Sequence, residues 1–538
     1  MIKNLKIIAV ISALLFIGVI PLKAQFTPGN IVIERLGDAV YPSGTSNAVP
    51  IYLDEYTTTG TYVQTVALPT TTANGNYMIT ENGSAAKSAL MSRSANGQYI
   101  CISGYMDTIN AVNVSNTSTG GPDFIPRNVA TVDYNGNINS TTLINDTYSG
   151  GKIRSVASVD GTHFWTSGNS GAIRYVALGS IGNTTQITSG PTNSNALDIF
   201  NGQLYNTGDH PNTIGLCKVG SGLPTSYLAT TATVIPADTN SSSPFQFVWL
   251  VLSPGDTICY VANQQSGGLV KYSLRNDSLI KCGGINGVYV GVTGTVNCAG
   301  NVELFYSTSS STSSNSVLKY IDSTGYMGRM HTFSQPAFIL GITNYFFKGI
   351  KFCPYQDLTI TSSQTIAAGS YNNITISSGG VATLSGNIKI VGTLTVNSGG
   401  TLICGAHNVV GNSDFQNAFV LNSGATLEMG SAAGITASAA SGNIQTCARV
   451  YSTGANYIYN GTGNQVTGNG LPATVNNLTI ANTGSAGSDT VHLTAAVTVT
   501  NDLTITSGVL DVSSSNYSIT VDSSFYNNAS FSAEAGTV

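Results

Sequence analysis

The sequence predicts an all-β chain built from two kinds of repeat: a six- or seven-bladed β-propeller followed by a right-handed parallel β-helix. Three observations carry this. Strand, Gly turn, strand units recur around Gly97, Gly161, Gly202, Gly255 and Gly300, which stand 64, 41, 53 and 45 residues apart. After Pro354 the texture changes to short Gly/Ser/Asn/Thr strands repeating every 20 to 25 residues. No segment carries a 3.6-residue apolar period with caps at both ends.

Length and composition bound the rest. A chain of 538 residues exceeds one ordinary core and predicts two to four domains, of which two fit the change of texture. Charged residues make up 8% of it, against roughly 25% in an average soluble protein, but 41% hydrophobic content and 26 Tyr supply enough apolar surface to fold. A net charge of −5 offers no basic patch and argues against nucleic acid as a partner.

The N-terminus places Lys3 and Lys6 before an apolar run over 7–20, then Pro21, Lys23, Ala24 and Gln25. This is the order of a secretory signal peptide, expected to be cut after Ala24. Leu22 departs from the small residue usual at that site, so an uncleaved anchor is the alternative. No Cys follows closely, against a lipoprotein, and no later segment is apolar enough to span a bilayer. The expected location is the outside or outer surface of a Gram-negative bacterium, with the periplasm as alternative. Export permits disulfides. The eight Cys (101, 217, 259, 282, 298, 353, 404, 447) are scattered without a C-x-x-C pair, so buried thiols with one or two bridges are expected and a zinc site is not.

Residues 26–355 open with three β-branched runs before residue 70. The five repeat units follow, including Ala196-Leu-Asp-Ile-Phe-Asn-Gly-Gln-Leu-Tyr. Asn-Gly and Asp-Gly provide the positive φ that a tight hairpin needs. The spacing approaches the ~40–50 residues of a propeller blade, and a further strand follows several units, as at Gly268-Leu-Val-Lys-Tyr. Five units, the early strands and the final run over 338–352 make six or seven blades, with an N-terminal strand expected to close the ring and remove exposed edges. A string of sandwich domains is the alternative. Gly37-Asp38, Val49-Pro-Ile-Tyr-Leu-Asp-Glu-Tyr, Ser92-Arg-Ser-Ala-Asn-Gly-Gln-Tyr and Phe347-Lys-Gly-Ile together resemble an uncharacterised family of exported bacterial propeller-like modules. The resemblance implies a fold and an exported setting, and no catalytic residues.

Residues 357–538 repeat on a shorter scale. Leu394-Thr-Val-Asn-Ser-Gly-Gly-Thr-Leu matches Phe419-Val-Leu-Asn-Ser-Gly-Ala-Thr-Leu 25 residues on, and Ile374-Thr-Ile-Ser-Ser-Gly-Gly begins 20 residues earlier. Asn476-Asn-Leu-Thr-Ile and Asn501-Asp-Leu-Thr-Ile are also offset by 25. Such periods mean a solenoid, in which equivalent residues stack about 4.8 Å apart. Like charges so stacked would repel by roughly 1 kcal/mol even in water, which a nearly uncharged repeat avoids. The texture resembles the β-helical passenger and stalk regions of bacterial adhesins and autotransporters. The pattern stops mid-repeat at 532–538 without a cap, so a further segment or a partner is expected to cover the open end. Only residues 353–356 remain as linker, which predicts two units held in a fixed relation.

Candidate chemistry is sparse. Asp160-Gly161 with His163 and Trp165 resembles the Asp-box of sialidase-like propellers, but Gly161 follows Asp160 directly, so a hairpin with a packed Trp165 is the plainer reading. Asp209 and His210 lie in a loop after a strand, where functional residues often sit, yet adjacency alone does not orient a dyad. His163, Trp165, Asp209 and His210 are therefore the binding-loop candidates, with no catalytic, cofactor or metal residues assigned and no cofactor expected. The solenoid's only cations, Lys389 and Arg449, argue against a lyase there. Asp-Ser/Thr tripeptides such as Asp107-Thr-Ile and Asp489-Thr-Val resemble an O-glycosylation sequon of exported bacterial proteins, though a chain so rich in Ser and Thr produces them by chance.

Together these readings predict a non-enzymatic exported protein that binds glycans or surface proteins through the propeller, with the β-helix as spacer. A carbohydrate-active hydrolase or lyase with its site on the propeller, and a purely structural envelope component, are the alternatives.

Overall fold

The computed structural model describes residues 25–535 except 85, 191, 210–213, 238–242, 265–266, 309–314, 332–335, 342 and 439. Residues 1–24, and with them the expected signal peptide, lie outside the described residues. All the regular structure is β.

Six sheets form the propeller-like arrangement, antiparallel except for a two-residue edge strand, Ile181–Gly182, that pairs in parallel with Ile138–Ile144 of the second. Blade 1 pairs Phe346–Phe352 with Ile31–Leu36, Ile51–Tyr56 and Tyr62–Ala67. The early strands and the last run therefore belong to one blade, which sets the count at six. Three N-terminal strands meet one C-terminal strand in antiparallel register, Ile31 opposite Phe352 and Ile33 opposite Ile350. This closure leaves no broken edge in the ring.

Blades 2 to 6 begin with inner strands at Ser92–Arg93, Ile153–Ser158, Ser194–Phe200, Pro244–Ser253 and Tyr289–Val296. Each turns into its second strand at one of the five repeat glycines, which hold φ between +71° and +93°. The repeat legible in the sequence is thus the inner hairpin of each blade. Strand residues alternate between the two faces of a blade, and both faces are packed. Ile31 and Ile33 join Phe305, Val317 and Phe347 between blades 6 and 1, while Val32 and Leu36 join Ile100, Ile102 and Val132 between blades 1 and 2. Four more apolar clusters fill the remaining blade interfaces.

The solenoid starts at Leu358–Ile360 and stacks about eight coils of three short parallel strands. One face is a continuous eight-stranded sheet from Ser363–Ile366 to Ser524–Asn527. The ladder registers coincide with the sequence offsets: Leu478 pairs with Leu503 in this sheet, and Leu394 with Phe419 in the neighbouring five-stranded sheet. Ala382, Leu402, Leu427, Tyr457, Leu478 and Leu503 stack inside, each no more than 2% exposed. Asparagines form polar rungs between coils, with Asn422 Nδ2 donating to Asn397 Oδ1 at 3.0 Å and Asn501 Nδ2 to Asn477 Oδ1 at 2.9 Å. Each rung satisfies an amide that could otherwise compete with the ladder.

The connection between the two units is fixed to the propeller. The Cys353 amide donates to the Asn30 carbonyl at 2.8 Å and the Tyr355 amide to the Gly97 carbonyl at 3.0 Å. Gly97 has φ +76°, and a Cβ there would collide with the Tyr355 ring. A solenoid loop over 412–417 makes the second attachment. The Cys298 amide donates to the Ser413 carbonyl at 3.1 Å and the Gln416 amide to the Val296 carbonyl at 2.8 Å, and the Phe415 ring meets Phe352 at 4.9 Å. A disulfide joins Cys298 of blade 6 to Cys447 of the solenoid, with Cα atoms 5.6 Å apart. The other six cysteines are buried thiols.

Candidate functional site

The four residues singled out in the sequence are not brought together. His163 starts the second strand of blade 3, exposed, with its ring stacked on Tyr175 at 5.8 Å. Trp165 is 3% exposed, packs between blades 3 and 4, and donates its indole N–H to the Pro224 carbonyl at 2.7 Å. Asp209 lies just beyond the second strand of blade 4, at the opposite end of the ring from His163, and forms an ion pair with Lys87. His210 lies outside the described residues.

The ends of the inner strands make a more coherent site. A cavity of about 200 Å3 opens at the axis of the ring, at the end from which the chain leaves for the solenoid. Five of the six inner strands or their ends line it, contributing Arg93, Asp198, Phe200, Trp249, Thr293 and Lys351. Topology explains the grouping, because the first strands of neighbouring blades pack against one another around the ring. Lys351 Nζ pairs with Asp198 Oδ2 at 2.5 Å, and Asp198 Oδ1 accepts the Ile199 amide at 2.8 Å. Phe200 stacks on Trp249 at 5.6 Å and 15°, forming an apolar wall. The indole N–H of Trp249 is buried without a hydrogen-bond partner among the described residues. Arg93 is half-buried, donates from Nη1 to the Cys353 carbonyl at 3.3 Å and lies 5.3 Å from the centre of the Tyr355 ring. The linker between the two units therefore helps to position it.

The chain shows likeness to solved structures, among them two from Bacteroides. One, from Bacteroides fragilis, carries the provisional name 6-phosphogluconolactonase; it is 12% identical, covering 60% of this chain and 98% of that one, with a TM-score of 0.34. The other, from Bacteroides uniformis and of the same provisional name, is 13% identical over 58% of this chain and 82% of that one, with a TM-score of 0.31. The chain matches no protein-family model and no curated protein.

A second charged group lies between blades 1 and 2, out of reach of solvent. Glu34 of the N-terminal strand, Lys348 of the C-terminal strand and Glu81 of the next connection are all 0% exposed. Burial, reinforced by Glu81, pushes the Glu34 carboxyl up to about 8, and burial pushes Glu81 up to about 7. Burial likewise pushes Lys348 down to about 7, against the pull of both carboxylates. Glu34 Oε2 accepts the Met91 amide at 3.3 Å, and Glu81 Oε1 accepts from the Asn82 amide at 2.8 Å and Ser88 Oγ at 3.0 Å. The cluster ties together the two ends of the ring, and none of its three residues lines the axial cavity.

One signal in the sequence could have found the axial site. Arg93 and Asp198 each stand four residues before their blade's turn glycine, Gly97 and Gly202. A charge in an otherwise apolar strand, repeated at one position of two units, marks a shared location in the ring.

Proposed function

We propose that this protein is an exported binding protein whose propeller receives the tip of a glycan at the axial mouth, with the solenoid as a docked spacer. The observation that carries the reading is the cavity itself, in which an aromatic wall of Phe200 on Trp249 stands beside the polar groups of Arg93, Asp198 and Lys351. An apolar wall with a few fixed polar groups is the common form of small-ligand sites. At about 200 Å3 it is smaller than the roughly 300–1,000 Å3 of drug-sized pockets, which suits one terminal residue of a longer chain.

Export is supported by the order of residues 1–25 and by the Cys298–Cys447 bridge, since structural disulfides persist mainly in oxidising compartments. The test is a glycan array probed with the full chain and its Phe200→Ala variant, together with an assay for polysaccharide hydrolysis. Binding that the variant weakens at least tenfold supports the reading. Absence of binding, or turnover of the bound polysaccharide, overturns it.

A further inference from the structure

We infer that the axial mouth is an anion receptor, and that its ligand is an acidic sugar of the uronic-acid class whose carboxylate sits on Arg93. The inference rests on the glycan-binding reading above and narrows it. Its first ground is the local charge balance. Only one of the two cations at the mouth is neutralised, because Lys351 and Asp198 pair at 2.5 Å and the second Asp198 oxygen is taken by the Ile199 amide. Arg93 makes no ion pair with an acidic side chain among the described residues. The mouth therefore carries an excess positive charge in a chain where cations are scarce, 20 Lys and Arg in 538 residues.

The second ground is how Arg93 is held. A single hydrogen bond to the Cys353 carbonyl and the Tyr355 ring orient the guanidinium. That one bond uses one of the five N–H donors of the planar fork, which matches a carboxylate with two parallel hydrogen bonds. Holding the plane in advance lowers the entropy lost on binding. Tyr355 belongs to the connection between the two units, and Gly97, at the turn just beyond Arg93, leaves room for its ring. The third ground is the wall of Phe200 and Trp249, which offers an apolar face beside the charge. A uronic acid presents both features, a carboxylate and a sugar ring with an apolar face.

Titration calorimetry of the full chain with oligogalacturonate and with a neutral galacto-oligosaccharide of equal length tests this. The acidic ligand is expected to bind at least tenfold tighter, with a preference that fades as salt rises from 50 to 300 mM, because an exposed charge pair is screened. Arg93→Gln should abolish the preference, and Arg93→Lys should keep the charge but restore only part of it. Asp198→Asn, which leaves Lys351 uncompensated, should raise affinity for the acid. A loss of fold could not produce that gain. Equal binding of both ligands, insensitive to salt and to either Arg93 variant, overturns the acidic assignment while leaving glycan binding in place. Binding of neither ligand overturns both.

Discussion

Removing the bridge between blade 6 and the solenoid, by the double substitution Cys298→Ser and Cys447→Ser, should loosen the docking of the two units. The bonded residues are 149 apart in sequence, and the chain-entropy relation for such a loop predicts about 5 kcal/mol at 25 °C, with native bridges usually contributing about 2–5 kcal/mol. What remains without it is a few hydrogen bonds and one ring contact, including the backbone bond from the Cys298 amide to the Ser413 carbonyl, which substitution of the side chain leaves in place. The Gln416 amide still reaches the Val296 carbonyl and Thr58 Oγ1 still reaches Asp414 Oδ2 at 2.5 Å, each worth roughly 1 kcal/mol net or somewhat more for the charged acceptor. The Phe415 ring still lies against Phe352. The expected result in calorimetry and urea denaturation is a first transition lowered by several kcal/mol, which separates from the second, with faster proteolysis in the linker over 353–356. Reductant should do the same to the wild type and nothing further to the double variant, since the other six cysteines are already thiols. A double variant with the transitions and proteolytic lifetime of the wild type would refute the reasoning.

Two further outcomes are expected. Glu34 and Glu81 have carboxyl pKa values raised in the folded protein to about 8 and about 7, so between pH 5 and 7 the folded state holds more protons than the unfolded one and stability falls as pH rises. Lys348, lowered to about 7, acts in the opposite sense as the pH rises through that value, so the fall in stability is steepest in the lower part of the window. Glu34→Gln should flatten the slope of the urea midpoint over pH 5–7, and an unchanged slope would count against the buried cluster. In the solenoid, Leu478→Ala removes a side chain 0% exposed between Tyr457 and Leu503. It should cost about 2–5 kcal/mol in the solenoid's own transition, a loss that hydrogen exchange would locate in the neighbouring coils.

Much of the fold was legible because it repeats. The turn glycines mark all five inner hairpins, since only a positive φ closes so tight a turn. The offsets that align Leu394 with Phe419 and Leu478 with Leu503 are the ladder register itself, because identical coils can stack only one way if their apolar sets are to stay inside. The blade count stayed open between six and seven for a physical reason. Whether the strands before residue 70 and the run at 346–352 form two blades or one depends on pairing across more than 300 residues, and nothing local records it.

The site was less legible. His163 and Trp165 drew notice through an Asp-box-like turn and Asp209 and His210 through their loop, but the described ones fill a stacked rim, the interblade core already expected for Trp165, and an ion pair. Arg93, Asp198 and Lys351 attract no attention singly, and they come from blades 2, 4 and 1. What the sequence by itself determined is the β character, the hairpin positions and the coil register, all set by short-range periodicity and turn chemistry. Only the tertiary structure decided that the ring closes at six blades, that Cys298 meets Cys447, and that three distant charges converge on one axis. Those outcomes depend on which strand edges meet when the ring shuts, and that is a property of the whole chain.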